Sequence, residues 1–240
     1  MNWFGFFAAL GGVSAILWLK QNHRRMGLTE NAFWAAMWLM VLGGVVGAKG
    51  FFVWLGWEHY ASGELSFWRD FGTGFVFFGG LTGALVVGIV FSRARGLGFW
   101  RGADYFAVAL PMGHAIGRLG CFVTGCCPGR ASHPVQLYES AGLALISFLC
   151  FLSLKQVEKG RWIPGSIFCG YGIGYGVLRL LLDPFRADGR PERVLGISHQ
   201  QGIALAIVLG SLFAWSFLHR GNGKRRRDGL AAKPVSARSV

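Results

Sequence analysis

The sequence predicts an all-α fold: a polytopic bundle of about seven transmembrane helices, N-terminus outside and C-terminus cytoplasmic. Three observations predict it. Of 240 residues, 53% are hydrophobic and 15% charged, where an average soluble domain carries about 25% charge. Twenty-one Phe and ten Trp are more than one soluble core of this size can hide. The net charge of +13 is gathered in short basic stretches between long apolar runs. That is how a membrane chain orients itself, rather than how a soluble protein binds nucleic acid. The same composition excludes a soluble globular enzyme, a disordered chain and a coiled coil.

Seven apolar segments follow in order, at roughly 3–19, 32–55, 72–91, 102–120, 137–154, 163–182 and 200–218. A span needs about 20 predominantly apolar residues. No basic stretch precedes the first segment and no small-residue cleavage motif follows Leu19. It is therefore expected to stay as a helix rather than leave as a signal peptide. The second and third segments carry small-residue faces, Gly43-Gly44-Val45-Val46-Gly47 and Gly79-Gly80-Leu81-Thr82-Gly83, which suit close helix packing. The fourth is the most polar, interrupted by Asp104, His114 and Arg118.

Loop charge gives the orientation. Lys20, Arg24 and Arg25, then Arg93, Arg95 and Arg101, then Lys155, Lys159 and Arg161, all fall on one side if there are seven spans. The seven Lys and Arg after Leu218 fall on that side too. The opposite loops hold only Arg69, Arg118, Arg130, Arg186, Arg190 and Arg193. The basic side is the cytoplasmic one. Residues 1–220 read as a single transmembrane domain. Residues 221–240 read as a basic, disordered cytoplasmic tail able to touch anionic lipid.

A charge near the middle of a membrane costs at least about 2.5–3.5 kcal/mol, so intramembrane ionisable residues are functional candidates. Here they are Lys49, His114, Arg118, Glu139, Arg179 and Asp183, with Arg186 just beyond. In the seven-span topology Arg118, Glu139, Arg179, Asp183 and Arg186 all lie at the outer side and can meet. Several arginines with fewer carboxylates suit a phosphate headgroup, which Arg grips with a planar fork. The alternative is an internal ion-pair network with snorkelling arginines. His114 is either a proton-transfer group or a hydrogen-bonded interior histidine.

The run from Gly117 to Gly129 is the densest stretch. Gly117, Gly120 and Gly129 would let backbone approach a ligand and present N–H groups to an anion. The same run holds Cys121, Cys126 and Cys127. Three readings of these thiols stay open: a structural or redox disulfide, a packed cluster of free thiols, or a metal or lipid-thiol site. Metal-ligand spacing is not clear, so no metal and no cofactor is assigned. Cys150 and Cys169 fall in mid-span as small core residues.

The order Gly117-Arg118-Leu119-Gly120-x-Phe122-x-x-Gly125, then His133-Pro134-x-Gln136-Leu137-Tyr138-Glu139, resembles the prolipoprotein diacylglyceryl transferase family. So do Gly174-Tyr175-Gly176-Val177-Leu178-Arg179 and Asp183-Pro184-Phe185-Arg186. Weaker echoes are Trp3-Phe4-Gly5, Gly47-Ala48-Lys49, Phe77-Phe78-Gly79-Gly80 and Ser198-His199-Gln200-Gln201. Together they cover most of residues 3–218 in the family's order. The resemblance implies an enzyme of the bacterial inner membrane that moves a diacylglyceryl group from phosphatidylglycerol to the thiol of a prolipoprotein cysteine, releasing glycerol phosphate. It implies no nucleic-acid partner.

Carried over residue by residue, Arg118 looks like the essential arginine of the family signature. Arg179 looks like the second essential arginine, with Tyr175 one turn before it. Glu139 matches the acid closing the His-Pro motif, and Arg186 and Gly129 match outright. Asp183 stands where the family has Glu, His114 where it often has Gln, and Lys49 where it has Arg. A carboxylate such as Asp104 is the expected partner of Lys49. The departures are Phe4 for a Tyr, Phe78 for the family's His, Cys121 for its Asn and Cys126 for its Glu. Losing that His removes one candidate base. A non-catalytic lipid-binding or thiol- or metal-handling relative is accordingly the alternative function.

Overall fold

The computed structural model describes residues 3–70, 72, 74–130, 133–186, 193–194 and 197–231. The fold is all-α, a polytopic membrane bundle, and every one of the seven apolar segments is helical. The helices are α1 (Trp3–Asn22), α2 (Glu30–Leu55), α3 (Trp57–Ala61), α4 (Phe77–Ala94), α5 (Phe99–Val123), α6 (Val135–Glu158), α7 (Ser166–Leu182) and α8 (His199–Ala231). Helices α1, α2, α5, α6 and residues 200–220 of α8 are long and apolar enough to cross a membrane, while α4 and the 17-residue α7 are shorter. Large apolar side chains such as Leu17, Val46, Leu149 and Phe213 stay exposed along these helices, as a chain dissolved in lipid requires. The chain forms two compact units, Met1–Gln21 with Trp100–Val240, and Asn22–Phe99.

In the unit Asn22–Phe99, the Thr29 hydroxyl accepts the Ala32 amide at 3.3 Å and caps α2. Helices α2 and α4 then touch backbone to backbone. A Cβ on Gly47 would run into the Gly79 carbonyl, and one on Gly83 into the Gly43 carbonyl. The third apolar segment starts as a helix at Phe77 rather than at residue 72. Gly74, at φ +68°, takes a left-handed turn under the Phe52 ring, and Val76 is extended. The Val76 amide instead bonds the Ala48 carbonyl. Lys49 is buried, donates to the Asp70 carbonyl at 2.9 Å and lies over the Phe52 and Phe75 rings.

The partner expected for Lys49, Asp104, is engaged elsewhere, in the other unit. There the fully buried Asp104 on α5 accepts the amides of Gly165 (2.7 Å), Ile167 and Phe168 (3.0 Å each). A carboxylate thus caps the N-terminus of α7, with three orphan amides satisfied and its charge set against the positive helix end. Buried serines join α6 to α5: Ser140 donates to the Ala115 carbonyl at 2.8 Å and Ser147 to that of Val108 at 2.9 Å. Helix α1 meets α5 where Gly11 abuts the Gly113 backbone, and α7 meets α8 where Gly176 abuts Ala204 and Val208.

A two-residue antiparallel pair, β1 (Arg193–Val194) with β2 (Ile197–Ser198), leads into α8. Ser198 and Gln201 form a reciprocal capping box there. The Gln201 amide donates to Ser198 Oγ at 3.1 Å, and the Ser198 amide to Gln201 Oε1 at 3.2 Å. Helix α8 continues to Ala231, so the backbone of 221–231 is helical where composition reads as a disordered tail. A long apolar helix supplies the nucleus, and Lys and Arg are good helix formers that extend it. The remainder of that tail lies outside the described residues.

Candidate active site

The site is built around Glu139 in the second turn of α6, whose side chain is 2% exposed. The Nη2 of Arg118 on α5 stands 2.9 Å from its Oε1. The Nη1 of Arg186, just past the 3₁₀ turn Asp183–Phe185, donates to its Oε2 at 3.0 Å. The Nη1 of Arg179, in the last turn of α7, is 3.7 Å from the same oxygen. Three helical regions thus deliver three guanidinium groups to a single carboxylate. Among the described residues, these three arginines and Glu139 carry a formal excess of two positive charges.

Hydrogen bonding is incomplete. Among the described residues, the buried Arg118 Nε, Arg179 Nη1 and Glu139 Oε1 have no hydrogen-bond partner. Buried donors on arginines carry a desolvation cost that an anion would offset. His114 lies one turn before Arg118, with Nε2 3.9 Å from Glu139 Oε1 and its ring 6.0 Å from that of Tyr175. Tyr175 stacks in turn beside Tyr171 at 6.2 Å. The site therefore holds fixed positive charge, a carboxylate and an imidazole together.

The loop after α5 supports it. The Gln136 side chain donates to the Cys126 carbonyl at 2.8 Å. Gly129 pairs with Arg186 as a β-bridge, so close to the Phe185 and His133 backbones that a Cβ would collide. The three signature glycines hence differ. Gly129 positions Arg186 by close approach. Gly117 faces open space, where a Cβ would meet nothing within 4 Å. Gly120 is buried against Phe7 and Phe4 of α1. Cys121, Cys126 and Cys127 are free thiols at the end of α5. The Thr124 hydroxyl beside its sulfur holds the Cys126 thiol below the ordinary range.

Arg118, Glu139, Arg179, Arg186, His114 and Tyr175 come together as the sequence suggests. Asp183, expected among them, turns to the Ser198 hydroxyl at 3.3 Å. Sequence reasoning missed the bonding roles of Gln136 and Gly129. Both residues are in the motifs, but their partners lie across the loop or past α7.

Residues 1–217 match the sequence profile described as prolipoprotein diacylglyceryl transferase. The chain belongs to that family. Among its relatives, the phosphatidylglycerol–prolipoprotein diacylglyceryl transferase of Geobacillus kaustophilus is 31% identical over 239 residues, 89% of this chain and 86% of that protein. The protein of the same name from Finegoldia magna is 30% identical, covering 86% and 87%. That from Clostridioides difficile is 26% identical, covering 92% of both chains. The family match spans every helix that contributes to the arginine cluster.

Proposed function

We propose that this diacylglyceryl transferase takes phosphatidylglycerol as donor and a prolipoprotein cysteine as acceptor, with Arg118, Arg179 and Arg186 as the headgroup site. The single observation that carries this reading is one buried carboxylate shared by three guanidinium groups, two of which keep an unpartnered N–H. A phosphodiester supplies the missing acceptors and reduces the excess charge. Tyr175 and Gly117 flank that place.

The reaction follows from this arrangement. The acceptor sulfur forms a bond to the terminal glyceryl carbon of the diacylglyceryl group. The bond from that carbon to the phosphate oxygen breaks, and its electron pair leaves with glycerol phosphate. Arg118 and Arg179 neutralise the charge that grows on the departing phosphate. His114 takes the thiol proton, steadied by Glu139, and in this reading replaces the histidine that Phe78 displaces. The enzyme lies in the bacterial inner membrane, N-terminus outside, with this site toward the outer leaflet. A cysteine engineered into the tail should escape an impermeant label applied from outside; labelling there would reverse the orientation.

Transfer of labelled diacylglyceryl to a lipobox peptide tests the assignment. Arg118→Ala and Arg179→Ala should each lose about 100-fold or more, the scale of removing one transition-state donor. Arg118→Lys should also fail largely, because a point charge lacks the fork. His114→Ala should lower kcat more than it raises KM. Normal transfer by a folded Arg118→Ala protein would sink the headgroup site.

A further inference from the structure

The end of α5 is a Schellman turn. The Gly125 amide bonds the Phe122 carbonyl at 3.1 Å, the Cys126 amide bonds the Cys121 carbonyl at 3.1 Å, and Gly125 has φ +68°. In this motif the residues joined by the longer bond bring their side chains into contact over the helix end, where an apolar pair usually sits. Here that pair is two cysteines. The Cys121 and Cys126 thiols lie within hydrogen-bond reach of each other.

Two further contacts fix the pair. Thr124 Oγ1 is 3.5 Å from Cys126 Sγ and 3.3 Å from the Cys121 carbonyl, so that sulfur lies over the Cys121 side of the turn. Gln136 holds the Cys126 carbonyl from α6. Burial is graded, with Cys121 buried, Cys126 half-buried and Cys127 exposed. Among the described residues, no three His, Cys, Asp or Glu side chains are grouped to hold a metal ion.

We propose that Cys121 and Cys126 are a thiol–disulfide exchange site, closed by a disulfide-bearing oxidant, protein or small molecule. Cys126 is the entry thiol. Its sulfur attacks one sulfur of the incoming disulfide, whose S–S bond breaks to release one thiol, leaving a mixed disulfide on Cys126. The Cys121 sulfur then attacks Cys126 Sγ and expels the second carrier thiol. Two protein thiols are oxidised, one carrier disulfide is reduced, and the two thiol protons pass to the carrier sulfurs. Thr124 Oγ1, 2.8 Å from the Gly120 carbonyl, also lies 3.5 Å from Cys126 Sγ, and the Cys126 thiol is the more easily ionised of the pair. The ring so closed is short and constrains little chain. Its effect is local, on a loop that also bonds Gln136 through Cys126 and Arg186 through Gly129.

Oxidised and reduced glutathione serve as the probe on the full-length protein in detergent. One tryptic peptide, residues 119–130, contains all three cysteines. After equilibration in oxidising buffer and alkylation without reduction, it should be lighter by two hydrogens and carry a single alkyl group, on Cys127. Dithiothreitol should return it to three alkyl groups. Cys127→Ser should keep the bond, while Cys126→Ser and Cys121→Ser should lose it. Three alkylations at every buffer ratio, a Cys126–Cys127 bond or a lasting glutathione adduct would each overturn the proposal. If Cys121→Ser does not fold, the wild-type and Cys127→Ser maps decide alone.

Discussion

Asp104 Oδ2 accepts the Gly165 amide at 2.7 Å, across 61 residues of sequence. Through this bond and its neighbours, the helix that carries Arg118 holds the first turn of the helix that carries Arg179. The site's geometry is therefore set partly at the far end of both helices.

Removing that carboxylate should be costly. Asp104→Ala leaves three amides without an acceptor, each worth about 1–3 kcal/mol when buried. Asp104→Asn keeps one oxygen and should lose less. Thermal unfolding in detergent ranks the two variants. Equal stability of Asp104→Ala and wild type would show that water or lipid serves these amides.

Glu139→Gln removes the carboxylate that Arg118, Arg179 and Arg186 share. Breaking a buried ion pair from one side costs about 3–5 kcal/mol. The variant should be less stable and lose transfer, and Glu139→Asp should recover part of both. A Glu139→Gln protein as stable as wild type would mean that the arginines find other anions.

Thiol reactivity should separate Cys126 from its neighbour by pH. A hydrogen bond donated to sulfur favours the thiolate, so Cys126 should alkylate at lower pH than Cys127, whose thiol is held above the ordinary range. Thr124→Val should move the Cys126 profile upward and leave Cys127 in place. Peptide mass spectrometry after brief maleimide pulses measures both. Coincident profiles in wild type would remove the role given to Thr124.

Gly47→Ala drives a methyl into the Gly79 carbonyl, whereas Gly50→Ala meets nothing within 4 Å. Overpacking of this kind costs about 1–3 kcal/mol. The first should lower Tm by several degrees and the second should not. Indifference to both would mean that the α2–α4 seam gives way more easily than its backbone contacts imply.

Much of this was legible in the sequence. Apolar length located the helices, five of them, among the described residues, long and apolar enough to cross a membrane, because a span must satisfy its own backbone. Arg118, Glu139 and Arg179 were legible because ionisable groups are rare there. What stayed hidden depends on distant partners. Asp104 invited pairing with a cation, yet backbone amides took it, and no pattern of side chains announces that. Asp183 suited the arginines by charge but answers Ser198 through the turn before α8. The helix start at Phe77 turned on one glycine at positive φ, which composition cannot reveal.

The surplus of positive charge around Glu139 bears on how a reaction cycle would end. A phosphodiester donor carries one negative charge, whereas the phosphate monoester it becomes carries about 1.5–2 near neutral pH. If Arg118, Arg179 and Arg186 hold the headgroup as proposed, the cluster grips the product more tightly than the donor. In the proposed headgroup site, dissolved anions that compete for the arginines obstruct loading of the donor.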